Sequence, residues 1–394
     1  MTTSIRDAAR ELTGGSLTAL LSPGVRVLGL GEPTHGVEAF LEVRNEIFRH
    51  LVEHEGYRSI ALESDCLAGL AADAYAGGGA GALDEAMSRG FSHGFGASAA
   101  NRELLSWMRA YNERSPSHDR LRFYGFDAPL EPAGPAGPRP VLTALHDYLS
   151  AHLDLPVTRE TLDGLLGPEE PWTDPAALTD PARSVGGGPE VKELRLIADD
   201  LGALLTAHAP HLTAATSPDD WWRADLYART AAGLLRYHAG MADPSSARLG
   251  RLMSQRDAMM AGNLDAVVRR EARRGPTLAF AHNRHLQRDK SHLWFANVPI
   301  QWWSAGAILA TRLGDAYAFA AATFGARGAD VPAPGTLEGI LSALPHARAV
   351  VDPARLVAAL GEKPAPRVPV DHTYLALDPA TVHQADAIVF LKEI

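Results

Sequence analysis

"LGLGEPTHGVEAFLEVRNEIFRHL", residues 28–51, opens as a buried strand and ends as a helix. The apolar run VRVLGLG (25–31) predicts a short covered strand. Beyond it Val37, Phe40, Leu41, Ile47, Phe48 and Leu51 recur at helical spacing and share one face. Between strand and helix stand Glu32 and His35. A structural turn needs only Gly, Pro, Asn or Asp, so a carboxylate and an imidazole there call for another explanation. Arg44 lies in register with the apolar stripe and is expected to point inward. A buried guanidinium loses several kcal/mol of hydration unless Glu32, Glu63 or a substrate oxygen answers it. The competing placement is that Arg44 snorkels to the rim of the sheet.

Working outward, RSIALES (58–64) reads as a second strand, NRELLSWMRAYNE (101–113) as a helix and LRFYGFD (121–127) as a third strand. AGGGAGA (76–82) reads as a flexible joint and PLEPAGPAGPRP (129–140) as a loop. Residues 141–272 then pattern as helix almost throughout. Strand character returns at TLAFAH (277–282), followed by a helix near 300–313, the strand AYAFAAATF and the terminal strand of DAIVFLKEI. Strand–helix alternation at both ends predicts an α/β fold: a parallel-sheet core built from both ends of the chain, with an α-helical insert lobe. The expected boundaries are 1–135 and 275–394 for the core and 136–274 for the lobe.

The 394 residues carry a net charge of −10 with Arg and Lys scattered, which argues against nucleic acid or an anionic membrane as partner. A small-molecule substrate is expected, with the oligomeric state left open. The single cysteine, Cys66, forbids an intramolecular disulfide and a cysteine-based zinc site. The first residues lack a signal-peptide core, and no apolar run approaches the length of a membrane span, so a cytoplasmic location is expected.

Ligands of open α/β sheets bind at the carboxyl ends of the strands. Here those ends supply Glu32 and His35, Glu63, Asp127, and His282 with His285. The competing reading makes each a cap or a surface charge. Arg256 and Asp257, between Met253, Met260 and Leu264, repeat the pattern of Arg44 and read more readily as structural salt bridges to each other's neighbours. The G-x-S-x-G elbow, H-E-x-x-H, the P-loop and G-x-G-x-x-G are all missing. Without an activated nucleophile, the simplest hydrolytic chemistry is a water deprotonated by a histidine, with Arg44 or a second histidine at the oxyanion. A divalent metal held by His282, His285, Glu32, His35 and Glu63 is the competing use of these groups.

GEPTHG (31–36) with Arg44, Glu63 in IALES, and E-x-x-x-W-x-R-x-Y-N at 103–112 resemble the erythromycin esterase family. So do FYGFD (123–127), RD-x-x-M-x-x-N (256–263) and AHN-x-H (281–285), in the same order. The resemblance implies an α/β core and a helical lobe with a cleft between them. It also implies metal-independent macrolactone hydrolysis by a histidine-activated water, with no cofactor. Carried over by motif, His35 is the general base and Glu32 orients it or the water. Arg44, His282 and His285 become the other catalytic or substrate-polarising residues. Glu63, His93, Asp127 and Arg256 make up the expected substrate-binding set. More distantly, G-E-x-x-H is shared with haem-binding and metal-dependent proteins. Residues 76–100 depart most from the resistance enzymes, and His93 stands where an aromatic stretch is expected.

The expected function is hydrolysis of a lactone or carboxylic ester, macrolide-type or of another natural product. One alternative is a biosynthetic enzyme using the same site for dehydration, cyclisation or acyl transfer. The other is a relative that binds a ligand or haem without turnover.

Overall fold

The computed structural model describes residues 4–131, 134–295, 298–368, 370 and 374–394. Its strands are β1 (Ala9–Glu11), β2 (Val27–Glu32), β3 (Ser59–Asp65), β4 (Arg122–Asp127), β5 (Leu130–Glu131) and β6 (Gly134–Pro135). They continue with β7 (Thr277–His282), β8 (Lys290–Phe295), β9 (Val298–Trp303), β10 (Tyr317–Ala326), β11 (Arg348–Val351) and β12 (Ala387–Glu393). Eight of these form one sheet in the order β1-β11-β12-β10-β2-β7-β3-β4, while β5/β6 and β8/β9 pair separately. The pairings β10–β12, β10–β2, β2–β7 and β3–β7 are parallel.

The sheet therefore joins strands from both ends of the chain, with β7 seated between β2 and β3. Every residue of β2 and β7 is buried, which matches their continuous apolar runs. Two glycines of β2 have a packing reason. A Cβ on Gly31 would meet Asn283 Oδ1 at 2.0 Å, and one on Gly29 would meet Tyr317 Oη at 2.9 Å. Asn283 uses that space to clip β10, donating from Nδ2 to Ala322 O at 2.7 Å and accepting Ala322 N–H at 3.0 Å. The segment directly after β7 is thereby fixed.

Helix Glu38–His54 buries Phe40, Leu41, Val43, Ile47, Phe48, Leu51 and Val52, and Arg44 with them. Each such Leu or Phe contributes about 1.5–3 kcal/mol by leaving water. Arg44 is 1% exposed, so it points inward and does not reach the rim.

The sheet is mostly parallel, as expected, with an antiparallel edge where β11 runs against both β12 and β1. β11 is only four residues long, too short to show a periodicity. Two local expectations need correction. The helix foreseen near 300–313 starts at Ala305, because VPIQWW alternates buried and exposed residues as a strand and Ser304 caps the helix. The loop at 129–140 contains the two-residue pair β5/β6, and a helix begins at Arg139.

The chain divides into two compact units: Met1–Phe126 with Leu264–Ile394, and Asp127–Asn263. The second is built from helices Arg139–Ser150, Arg159–Leu166, Pro189–Ala207, Ala209–Ala215, Pro218–Met241 and most of Arg248–Glu271. Pro189 and Pro218 occupy first-turn positions, where a missing N–H leaves no bond unmade. Among the described residues, no helix is long and apolar enough to cross a membrane.

Candidate active site

Register brings the first two ionisable residues together. The β2–β7 ladder ends on the pair Glu32 and His282, so both side chains emerge at the carboxyl edge of the sheet. Glu63 lies on β3, the next strand over, and its Oε2 accepts the His282 backbone N–H at 2.8 Å. His35 stands just beyond β2 with its Nδ1 2.6 Å from Glu32 Oε1. Its Nε2 faces Glu63 Oε1 at 3.8 Å, and His285 Nε2 lies 3.3 Å from that same oxygen. A separation of 3.8 Å exceeds a direct hydrogen bond and is one that a water can bridge. Glu63 is thus shared by two imidazoles. His35 alone of these groups is substantially accessible, with 40% of its side chain exposed.

These residues border a cavity of about 350 Å³ within the first unit. Glu32, His35, Arg44, Glu63 and His93 supply its polar wall, and Leu41, Leu62, Phe95 and Phe280 its apolar one. That mixture, with a few convergent polar groups on an apolar surface, is the usual composition of a small-molecule site. Arg44 reaches it from the interior, its Nε and Nη2 donating to Asn45 Oδ1 at 3.1 and 2.7 Å. The guanidinium carbon sits 5.0 Å above the Phe280 ring. Asn45 is itself held by donating to Ala100 O at 2.8 Å. Burial lowers the Arg44 pKa to about 10, opposed by the Glu32 and Glu38 carboxylates, so the group stays a cation at neutral pH. Burial also raises the Glu32 pKa, against the hydrogen bond and charge of His35.

Two acceptors on this wall are buried with no hydrogen-bond partner: Glu32 Oε2 and Asn101 Oδ1. The Asn101 amide is oriented, because its Nδ2 donates to Phe95 O at 2.9 Å. Buried acceptors of this kind are expensive to leave unmade, and a ligand or water donor satisfies them.

His282 plays a different part from His35. A carbonyl can only accept, so the 3.1 Å contact of Nε2 with Pro33 O makes Nε2 the protonated nitrogen. Nδ1 accepts the Arg284 backbone N–H at 3.1 Å, capping the short helix Asn283–Leu286. Both ring nitrogens are engaged by backbone, and burial lowers the pKa to about 3, aided by the positive charges of neighbouring histidines. His282 is therefore a neutral brace with no nitrogen open to substrate.

A stability prediction follows. Unfolding lets His282 take up a proton below its ordinary value of 6.5, whereas the folded ring resists protonation until about 3. Stability is thus full above about pH 6.5 and is lost as pH falls towards about 3. At pH 5 the loss from this one group is about 2 kcal/mol. Urea titrations at pH 7 and 5 should show His282→Asn, which keeps an N-cap oxygen, with a mean pH slope smaller by about 0.7 proton. An unchanged slope would mean that His282 titrates normally in the folded chain.

His93 lines the cavity with φ +57°, the one non-glycine residue with positive φ among those described. Its ring stacks on Phe95 at 5.7 Å, and its Nδ1 lies 2.6 Å from Ser92 Oγ. Asp127 and Arg256 are placed elsewhere. Both belong to the second unit, where fully buried Asp127 accepts from Arg256 Nε at 3.1 Å and Nη2 at 2.6 Å. They pair with each other, and neither borders the cavity around His35. Sequence reasoning missed Glu38, Phe95, Asn101 and Phe280. Only Phe280, two residues before the end of β7, carried a usable signal. Among the described residues, no group of three or more His, Cys, Asp or Glu side chains is arranged to hold a metal ion.

A mostly parallel α/β sheet carries a histidine–carboxylate pair at its carboxyl edge, the place where open α/β sheets bind their ligands. The chain belongs to the erythromycin esterase family, whose sequence model matches residues 52–394. Membership suggests a hydrolase. The matched segment contains Glu63, His282 and His285 but begins after Glu32, His35 and Arg44, which rest on the geometry above. Among solved structures the chain is similar to a Bacillus cereus protein at 18% identity, TM-score 0.72, covering 99% of this chain and 96% of that one. A succinoglycan biosynthesis protein is similar at 16% identity, TM-score 0.66, over 100% and 96%. A mutant erythromycin esterase EreC in its open conformation is similar at 19% identity, TM-score 0.65, over 96% and 93%. These likenesses establish a shared fold. No curated protein matches the chain by sequence.

Proposed function

We propose that the protein hydrolyses a lactone or other carboxylic ester with a water activated by His35 and without a metal. The observation that carries this reading is the His35–Glu32 contact of 2.6 Å on an accessible imidazole whose other nitrogen faces Glu63 across 3.8 Å. With Nδ1–H donated to Glu32, Nε2 presents its lone pair towards the cavity. A water between Nε2 and Glu63 gives its proton to Nε2 as its oxygen bonds to the acyl carbon. Glu32 stabilises the imidazolium, and the Arg44 guanidinium stabilises the oxyanion. The tetrahedral intermediate collapses with cleavage of the acyl–oxygen bond, and Nε2–H protonates the departing alkoxide. The products are a carboxylic acid and an alcohol, joined in one molecule when the substrate is a lactone.

A cavity of about 350 Å³ suits the ester group and its immediate substituents, with the rest of a larger substrate outside it. The test is turnover of macrolactones, small lactones and nitrophenyl esters in oxygen-labelled water. Label is expected in the product carboxylate, with a rate unchanged by exhaustive chelation. Product formed without label would indicate dehydration, cyclisation or acyl transfer. Loss of rate on chelation, restored by zinc, manganese or iron, would sink the metal-free version.

A further inference from the structure

The pair β8/β9 buries one face, with Ser291, Ile300 and Trp302 inward, and turns the other to solvent. On that outer face Trp294 is 72% exposed and Trp303 51% exposed. Register pairs Lys290 with Trp303, His292 with Gln301 and Trp294 with Pro299. The two indoles therefore stand at opposite ends of one face, with an imidazole–amide pair between them. Four residue steps place them about 13 Å apart along the strands. Grouped exposed apolar side chains mark interaction sites, and tryptophan combines a broad flat apolar surface with a polar edge.

The polar middle of this face continues into a cavity. Lys290, His292 and Gln301 line a polar space of about 180 Å³ whose other walls include Arg284, Asp289 and Asp378. That is room for about six waters, comparable to a single sugar ring. Arg284 is nine-tenths buried and held in place, donating to Ala376 O at 3.3 Å and contacting His292 Nδ1 at 3.3 Å. Two cations face two carboxylates, so the cavity has no net sign with which to select an ion. It offers donors and acceptors interleaved, which suits hydroxyl groups because each hydroxyl both donates and accepts.

We propose that the outer face of β8/β9, together with this cavity, binds a neutral oligosaccharide of three or more units. The C–H faces of the sugar rings stack on Trp294 and Trp303, and their hydroxyls bond to His292, Gln301 and the cavity wall. Lys290 sits over the Trp303 ring at 5.1 Å, an exposed cation–π contact weak enough for a ligand to displace. Trp294 is the primary platform. The alternatives fit less well. Two strands of six residues present a face of about 20 by 10 Å, well under the roughly 800 Å² per partner of a stable protein interface. An anionic membrane needs clustered Lys and Arg, whereas this chain carries a net charge of −10.

The test is calorimetric and tryptophan-fluorescence titration of the full chain with maltohexaose, cellohexaose and laminarihexaose. Inorganic phosphate serves as the anion probe, phosphatidylcholine–phosphatidylglycerol vesicles as the membrane probe, and light scattering reads the oligomeric state. At least one hexasaccharide is expected to bind saturably at millimolar concentration or below. Trp294→Ala and Gln301→Ala should each weaken that binding at least tenfold, with circular dichroism unchanged because both side chains are exposed. The proposal is overturned if none of the three sugars binds at millimolar concentration, or if Trp294→Ala binds as well as the parent. It is equally overturned if phosphate competes with the sugar for the cavity. Vesicle binding or self-association that is lost in the Trp294→Ala/Trp303→Ala double variant would assign the face to a membrane or to a second copy instead.

Discussion

Replacing His35 with Asn is expected to leave a folded protein whose turnover is lower by at least about a hundredfold. The fold should tolerate the change because the imidazole is partly solvent-exposed, with its Nδ1 2.6 Å from Glu32 Oε1. An asparagine at this position can still reach Glu32 but cannot take a proton from water at neutral pH. General-base assistance is typically worth on the order of 10²–10⁴-fold, so its removal sets the size of the effect. The measurement is kcat on whichever ester the substrate screen identifies, alongside thermal unfolding of parent and variant. Turnover within a few fold of the parent, in a variant that melts normally, would show that His35 is a turn residue. Chemistry would then have to be sought around Glu63 and His285, since both nitrogens of His282 are bound by backbone.

Arg44 should show a larger combined effect, separable into two parts. Arg44→Ala removes a buried cation from beside buried Glu32, orphans Asn45 Oδ1 and empties the space over Phe280. Breaking such an arrangement typically costs about 3–5 kcal/mol, because the groups left behind remain desolvated. Arg44→Lys keeps the charge and much of the volume but loses the two-pronged contact with Asn45. It should therefore retain most of the stability while losing about 10²-fold or more in kcat, the usual effect of removing an aligned oxyanion donor. Urea unfolding and steady-state kinetics on both variants resolve the two contributions. If Arg44→Lys turned over substrate normally, Arg44 would be a structural cation and the oxyanion donor would lie elsewhere on the wall.

The residues that proved readable share a physical reason. Glu32, His35 and Glu63 interrupt or terminate apolar runs, and a polar residue there must answer to something beyond the local turn. Arg44 was readable because helical periodicity assigns a direction to every side chain. His93, Asn101 and Phe95 are another matter. His93 and Phe95 lie on a connecting segment with no period, and Asn101 stands in the first turn of the helix Ala99–Arg114. Their nearness to His35 depends on how that helix and its preceding turn pack against Glu38–His54. One such contact is the Ala100 N–H donated to Glu38 Oε2 at 2.9 Å. Asp127 shows the opposite limit. It ends a strand as Glu32 does, yet its carboxylate is taken by Arg256, more than a hundred residues away.

By itself the sequence determined the α/β class, the strand–helix alternation at both chain ends and the helical character of the middle. These follow from periodicity, which every segment carries within its own few residues. Burial in the fold decided between the inward and rim placements of Arg44. Only the tertiary structure decided that β7 enters between β2 and β3, aligning Glu32 with His282 and handing the His282 backbone to Glu63. Only it decided which histidine is a brace and which stands open to the cavity. A residue's type limits the bonds it can make, but its partners are chosen by strand order and register, which link positions more than two hundred residues apart. Residues with the same side chain, His35 and His282, thereby receive opposite environments: one half-exposed against a carboxylate, the other sealed between two backbone groups.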